Sequence, residues 1–181
     1  MAFWNQWAGA LANPVKEFRK AMYKANLASA LFHMMFPALV MGVVTYFASL
    51  SIAALNLGVL ILIALLSGIS VIIGWLLWSA IVFILSKIVD GRGGFVTQSY
   101  MMALYTAPLT IVGMLVSMLP LGGILTLVIL LYSLYLLFVA VQIVHGFDTR
   151  KSVTIVVLSL LLVFFLLITV STIFRVFAVV S

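Results

Sequence analysis

Polar and apolar positions along this chain fall into long separate blocks rather than alternating. No charged residue lies between Lys24 and Lys87, between Arg92 and Asp148, or between Lys151 and Arg175, so the uncharged stretches hold 62, 55 and 23 residues. A helix needs ~20 mostly apolar residues to cross ~30 Å of hydrocarbon. The first two blocks can each hold more than one crossing, and the charges at their edges decide how many. Lys16, Arg19, Lys20 and Lys24 precede the first block, and Lys87 and Arg92 follow it. Positive residues collect on the cytoplasmic side, so both edges face the cytoplasm and the crossings are even in number, namely two. The same reasoning assigns two crossings to the second block and one to the last.

The expected fold is an all-α integral membrane protein, a bundle of five transmembrane helices near residues 29–52, 60–87, 97–118, 123–144 and 152–175. Its N-terminus is cytoplasmic and its C-terminus lies on the opposite side, with eight of the nine basic residues inside and Arg175 outside. Leu55-Asn56-Leu57-Gly58 and Pro120-Leu121-Gly122-Gly123 supply the turns, the second through strong helix punctuation. The second helix is the least defined: it begins near residue 60, or as late as Gly68 after a re-entrant or tilted stretch.

Residues 1–26 form a separate N-terminal segment ahead of a transmembrane domain over 27–181. Phe3, Trp4, Trp7 and Leu11 recur at helical spacing. Asn13-Pro14 is a good helix start; after it Val15, Phe18 and Met22 share one face, and Lys16, Lys20 and Lys24 another with Arg19 beside them. Aromatic residues below and cations above mark a helix lying in the interface plane; the alternative is a simple orienting flank. The start lacks the pattern of a cleavable signal peptide, because the basic cluster follows Phe3–Trp7 and the first apolar block is too long for an h-region.

Composition narrows the chemistry. At 67% hydrophobic and 7% charged, the chain cannot present a water-covered surface of the usual ~25% charged residues. The few basic residues stand beside spans, where they meet anionic headgroups rather than nucleic acid. No cysteine is present, which excludes disulfides, thiolate catalysis and cysteine-ligated metals. No Asp, Glu, Lys or Arg lies at a span centre, against a proton- or sodium-coupled pump. Enzyme chemistry lacks acid–base pairs: Glu17, Asp90 and Asp148 are the only acidic residues, and no G-x-S-x-G elbow occurs. No catalytic residue, cofactor or metal is expected.

Sparse polar groups remain within the spans. His33 reads as a headgroup-level or interhelical hydrogen-bonding group, or less simply as a proton relay. Gln142 reads as an interhelical hydrogen-bonding group. Pro37 and Pro108 each remove a backbone hydrogen bond and predict kinks, serving either packing or a broken-helix transport site. Ala38 and Gly42, and Ala103 and Ala107, are small residues four apart that permit close helix approach, within the chain or in a homo-oligomer.

Two inside loops carry the remaining candidates. In the first, Asp90, Gly91, Arg92, Gly93, Gly94 and Phe95 precede Thr97-Gln98; its glycines allow positive φ and close backbone approach. It lacks the ending of a phosphate-binding loop and reads as a tight turn with Phe95 as an interface anchor. Asp90 is expected to pair with Arg92 or Lys151. In the second, Gly146, Asp148, Arg150 and Lys151 follow His145. His145 and Asp148 are three apart, which suits either two ligands of one metal or a C-cap followed by an N-cap.

The ordered set of features resembles the YIP family of membrane proteins (Ypt/Rab-interacting proteins), in particular its short prokaryotic branch. The similar features are Asn13-Pro14 with Phe18 and a basic helix, a long hydrophobic hairpin, Gly91-Arg92-Gly93-Gly94-Phe95, Tyr105-Thr106-Ala107-Pro108, Leu119-Pro120 and Leu131-Tyr132-Ser133-Leu134-Tyr135. Val144-His145-Gly146-Phe147 and Lys151-Ser152 complete it, over roughly residues 12–175. The resemblance implies five spans, a cytoplasmic N-terminus and no enzymatic activity. Eukaryotic members are linked to Rab GTPases and vesicle traffic, but this chain lacks their long N-terminal region and their Asp-Leu-Tyr-Gly-Pro motif. The compact form implies a prokaryotic plasma-membrane protein. The expectation is a scaffold or adaptor offering a cytoplasmic face to a protein partner or to lipids, with anionic headgroups and a second copy of the chain as further candidate partners. The alternative is a small-solute or ion carrier or channel, with Pro37, Pro108, Gln142, Ser159 and Thr169 along its path.

Overall fold

The computed structural model describes residues 3–50 and 56–180, with side chains described as far as Thr172. Among these residues the chain is all-helical: α1 Phe3–Ala12, α2 Pro14–Ala21, α3 Leu27–Ser49, α4 Leu57–Ile88, α5 Phe95–Ser117, α6 Gly122–His145 and α7 Thr149–Val180, with a 3-10 turn at Met22–Lys24. The last five are each long and apolar enough to cross a membrane. Large apolar side chains such as Leu39, Leu65, Leu77, Leu131 and Phe164 are exposed along them. In water such a surface would be an aggregation liability; around an integral membrane protein it is the lipid contact.

Side-chain caps set the helix starts. The Asn13 side-chain oxygen accepts the Lys16 N–H at 3.3 Å, with Pro14 in the first turn. Asn26 accepts from Ser29 at 2.8 Å and Asn56 from Val59 at 3.0 Å. Asp148 accepts from Lys151 at 2.9 Å. Each satisfies an N–H that the helix cannot. Asn26 and Asn56 start α3 and α4 two or three residues earlier than hydropathy alone predicts. The turn predicted at Leu55–Gly58 lies partly outside the described residues. Within them, α4 is one continuous helix through Gly68, so no re-entrant stretch precedes a late start there. Arg175 falls within α7, but its side chain lies outside the described residues.

Close backbone approach pairs α3 with α4. A Cβ added at Gly68 would stand 2.8 Å from the Ala38 carbonyl oxygen, and one at Gly42 would stand 3.0 Å from that of Ala64. The crossed order of these pairs makes the two helices antiparallel. Ala38 and Gly42 thus serve contact within the chain, against a matching Ala64 and Gly68. Helix α5 occupies the centre. Gln98 through Tyr105 are buried without interruption, followed by Ala107 and Pro108, so neighbours cover its first half on every side. Ala103 and Ala107 are wholly buried. Pro37 is buried within α3, while Pro120 lies in the exposed α5–α6 turn.

The aromatic side of the N-terminal segment faces the bundle. Trp7, Pro14 and Phe18 are buried. The Trp7 indole N–H donates to His33 Nδ1 at 2.9 Å, and Phe3 stacks on the same imidazole at 4.8 Å between centroids. His33 therefore makes the interhelical hydrogen bond. The Tyr132 hydroxyl donates to the Leu11 carbonyl, tying α6 to α1. Lys16, Arg19, Lys20 and Lys24 remain exposed.

Candidate functional site

The two predicted loops meet at the end of the bundle where α4 and α6 finish and α5 and α7 begin. Helix α4 stops at Ile88, and Asp90 takes a left-handed backbone with φ 65°. Aspartate is one of the few residues that visits this region readily. The Gly91 N–H donates back to the Ser86 carbonyl at 2.8 Å, the Lys87 ammonium donates to the Gly91 carbonyl at 2.9 Å, and the Arg92 N–H donates to the His145 carbonyl at 3.4 Å. The loop is thereby stitched to both helix ends.

Its glycines serve proximity. A Cβ at Gly91 would stand 2.6 Å from His145 Nδ1 and 2.7 Å from the Ser86 carbonyl oxygen. At Gly93 it would stand 2.3 Å from Val144 Cγ1 and 2.6 Å from the Val144 carbonyl oxygen, whereas at Gly94 it would meet nothing within 4 Å among the described residues. Positive φ, the other property a glycine loop offers, falls instead on Asp90 and, in the second loop, on Gly146 at 69°. Gly146 closes α6 as a left-handed cap, its N–H donating to the Gln142 carbonyl at 2.9 Å. Asp148 then caps α7, and its carbonyl accepts the Ser152 hydroxyl at 2.9 Å. Gly146 and Asp148 thus act as the C-cap of α6 and the N-cap of α7. Among the described residues no group of three His, Asp or Glu stands close enough to hold a metal.

His145 is the hub between the loops. Its Nε2 lies 3.0 Å from Gln98 Oε1 on α5. Its ring stacks on Phe147 at 5.5 Å and 19°, with Phe83 at 6.4 Å. His145 Nδ1, Gln98 Nε2 and the Ser99 hydroxyl are buried without a hydrogen-bond partner among the described residues. Phe95 is half-buried edge-on against Phe83 at 5.6 Å, so its ring contacts the bundle. The Lys87 and Lys151 ammonium groups lie over the Phe83 and Phe147 rings at 5.6 and 5.9 Å.

Two clefts flank Gly146 and Phe147. One, of about 400 Å³, is lined by Asp90, Arg92, His145, Gly146, Phe147, Asp148 and Lys151. The other, of about 490 Å³, adds Arg19, Tyr23 and Gln142, so the basic helix α2 reaches the same end. Asp90, Arg92, Gly94, Asp148, Arg150 and Lys151 are exposed there, while Gly91 is buried and Gly93 half-buried. Asp90 pairs with neither Arg92 nor Lys151 within 4.0 Å; the ion pair among the described residues is Glu17–Lys20. Sequence reasoning missed Gln98, Ser86 and Ser99. A signal existed for Gln98, an amide inside an apolar span one turn after the loop.

The polar residues expected along a solute path have hydrogen-bond partners within the chain. The Ser159 and Thr169 hydroxyls donate to carbonyls of their own helix at 2.8 and 2.9 Å. Gln142 reaches the Thr149 hydroxyl at 3.4 Å. A separate cleft of about 390 Å³ opens among α4, α5, α6 and α7, with Thr106, Thr110, Thr126 and Ser133 in its lining.

Compared with known proteins, residues 8–171 match the family model described as the Yip1 domain. Neither a curated protein nor a solved structure matches the chain.

Proposed function

The chain belongs to the Yip1-domain family, and from that membership we propose that it is a non-enzymatic membrane scaffold or adaptor working through the polar end of its bundle. The observation that carries this reading is the convergence of two separate loops and α2 around His145 and Phe147. Their exposed charges form a compact patch on a backbone held by hydrogen bonds, which limits the ordering cost of binding. By the positive-inside rule this end faces the cytoplasm, and the membrane in this reading is the plasma membrane of a prokaryote. Lys16, Arg19, Lys20 and Lys24 would reach anionic headgroups at the interface. Arg92, Arg150 and Lys151 would meet an acidic protein partner.

The test is photocrosslinking in cells from position 150, followed by mass spectrometry. A discrete protein adduct is expected, lost on Arg92→Glu with Lys151→Glu. Adducts only to lipid or to the chain itself, from correctly inserted protein, would remove the adaptor reading. Orientation is checked independently, because the chain has no cysteine: Pro120→Cys should label from outside intact cells and Arg150→Cys should not.

A second reading, a carrier or channel, rests on the largely apolar cleft among α4–α7, whose lining includes Thr106, Thr110 and Thr126. Flux assays on liposomes holding the purified protein test it; no movement across a broad panel of ions and metabolites would exclude it.

A further inference from the structure

We propose that the α1–α2 side of the bundle carries a notch in its apolar belt, into which water and phospholipid headgroups of the leaflet at the polar end descend by about 15 Å. The partner is the lipid surface itself, thinned on this side alone, and the inference goes beyond the adaptor reading.

Depth is the first support. Helices α3, α5 and α6 hold 23, 23 and 24 residues, about 35 Å each, against ~30 Å of hydrocarbon. Three contacts place the N-terminal segment far from their polar ends. Phe3 packs on Phe36 at 4.7 Å, nine residues past Leu27 and so about 14 Å along α3. Phe18 meets Tyr105 at 6.3 Å, ten residues past Phe95, about 15 Å along α5. The Leu11 carbonyl accepts from the Tyr132 hydroxyl, and Tyr132 lies thirteen residues before His145, about 20 Å along α6. The ordinary helix tilt of ~20° shortens these depths only slightly. The corner between α1 and α2 therefore stands near the middle of the bundle's height. Yet Asn13 at that corner is exposed, as are Lys16, Arg19 and Lys20 on the climb back. A flat bilayer would leave Asn13, which has no long stem on which to snorkel, in hydrocarbon, where polar groups are costly. Local thinning of the bilayer costs only modestly.

The exposed apolar surface is the second, independent support. On α4 it continues to Ile88, 73% exposed, and on α7 it begins at Val153. On α6 it stops at Tyr135; from Leu136 to His145 every residue is buried or half-buried. Helix α2 lies along that stretch, with Val15, Arg19 and Met22 beside Val139, Gln142 and Ile143. The surface that meets lipid tails thus ends ten residues short of the polar end on α6, but reaches that end on α4 and α7.

Aromatic placement is the third. Tyr and Trp favour the level of the headgroups. Tyr135 is exposed and stacks on Tyr132 at 6.0 Å, and Trp4 is 61% exposed beside Phe36. These rings stand at the depth a lowered headgroup boundary would take.

The chain has no cysteine, so single cysteines can carry nitroxide labels. Ala12→Cys reports the corner and Arg150→Cys the polar end. Leu161→Cys reports an exposed site on α7, twelve residues past Thr149 and so about 18 Å along it. The full chain is reconstituted in vesicles of phosphatidylethanolamine and phosphatidylglycerol. Collisions of each label with water-soluble nickel ethylenediaminediacetate are then compared with collisions with oxygen. Nickel should dominate at 12 and 150, and oxygen at 161. The label at 12 should also broaden the lipid phosphorus signal, as the label at 150 does. Oxygen dominance at 12 would overturn the proposal, and so would a wet label at 12 that leaves the phosphorus signal sharp.

A segment that had left the bundle for a flat interface would also be wet. Electron–electron distances to a second label at Pro120→Cys decide between the two. The label at 12 should stand closer to 120 than the label at 150 does; an equal or longer separation overturns the proposal whatever the collisions show. None of these readouts needs a protein partner, so the notch and the adaptor reading fail separately.

Discussion

Replacing Gly93 by alanine puts a methyl group where the structure has no room for one. The new Cβ would stand 2.6 Å from the Val144 carbonyl oxygen and 2.3 Å from Val144 Cγ1. The side-chain methyl can rotate away, but the carbonyl belongs to the last turn of α6. Restoring ordinary contact from 2.6 to 3.4 Å moves it by about 0.8 Å. That displacement pulls on the neighbouring His145 carbonyl, which accepts the Arg92 N–H. Overpacking of this kind costs about 1–3 kcal/mol. Gly94 is the internal control, because nothing lies within 4 Å of its added Cβ and its φ is −93°. Gly94→Ala should be neutral, or stabilising by about 0.4–1 kcal/mol through the loss of unfolded-state freedom. Unfolding each purified variant in the same mixed micelles gives the comparison. If Gly93→Ala is as stable as Gly94→Ala, the loop does not pack on α6 as described, and a polar end built on that packing fails with it.

Three further outcomes follow from the same contacts. Gly68→Val should separate α3 from α4, since even a Cβ would stand 2.8 Å from the Ala38 carbonyl oxygen; a cysteine pair placed across the two helices should then crosslink less efficiently than in the parent. Trp7→Phe keeps the ring but leaves His33 Nδ1 buried without its 2.9 Å donor, at a cost of about 1–3 kcal/mol, seen as a lower unfolding midpoint and faster proteolysis of residues 3–21. Asp148→Ala removes the cap of α7 and should cost about 1 kcal/mol, while Asp148→Asn should retain nearly all of it; equal stability of the two would show that the cap is not needed.

The sequence alone determined the class and the number of spans, because charges are too costly in hydrocarbon to sit anywhere but at block edges. It also located both loops and the small residues Ala38 and Gly42, since spacing of four is a property of the helix itself. Its hydropathy placed the α3 and α4 starts slightly late, because the capping asparagines Asn26 and Asn56 carry no charge and so do not mark a block edge. What each loop residue touches was decided only by tertiary structure. Gly91 and Gly93 are small because α6, some fifty residues further along the chain, lies against them, and no local pattern encodes that approach. The edge-on contact of Phe95 with Phe83 likewise joins residues of two different helices. The spacing of His145 and Asp148 suits either a pair of metal ligands or a C-cap followed by an N-cap. Only the packed structure brings the His145 ring to Gln98 on the central helix, with Nδ1 unpartnered among the described residues. Helical spacing says which residues share a face, but only the packed bundle decides which face meets another helix and which polar atom is left without a partner.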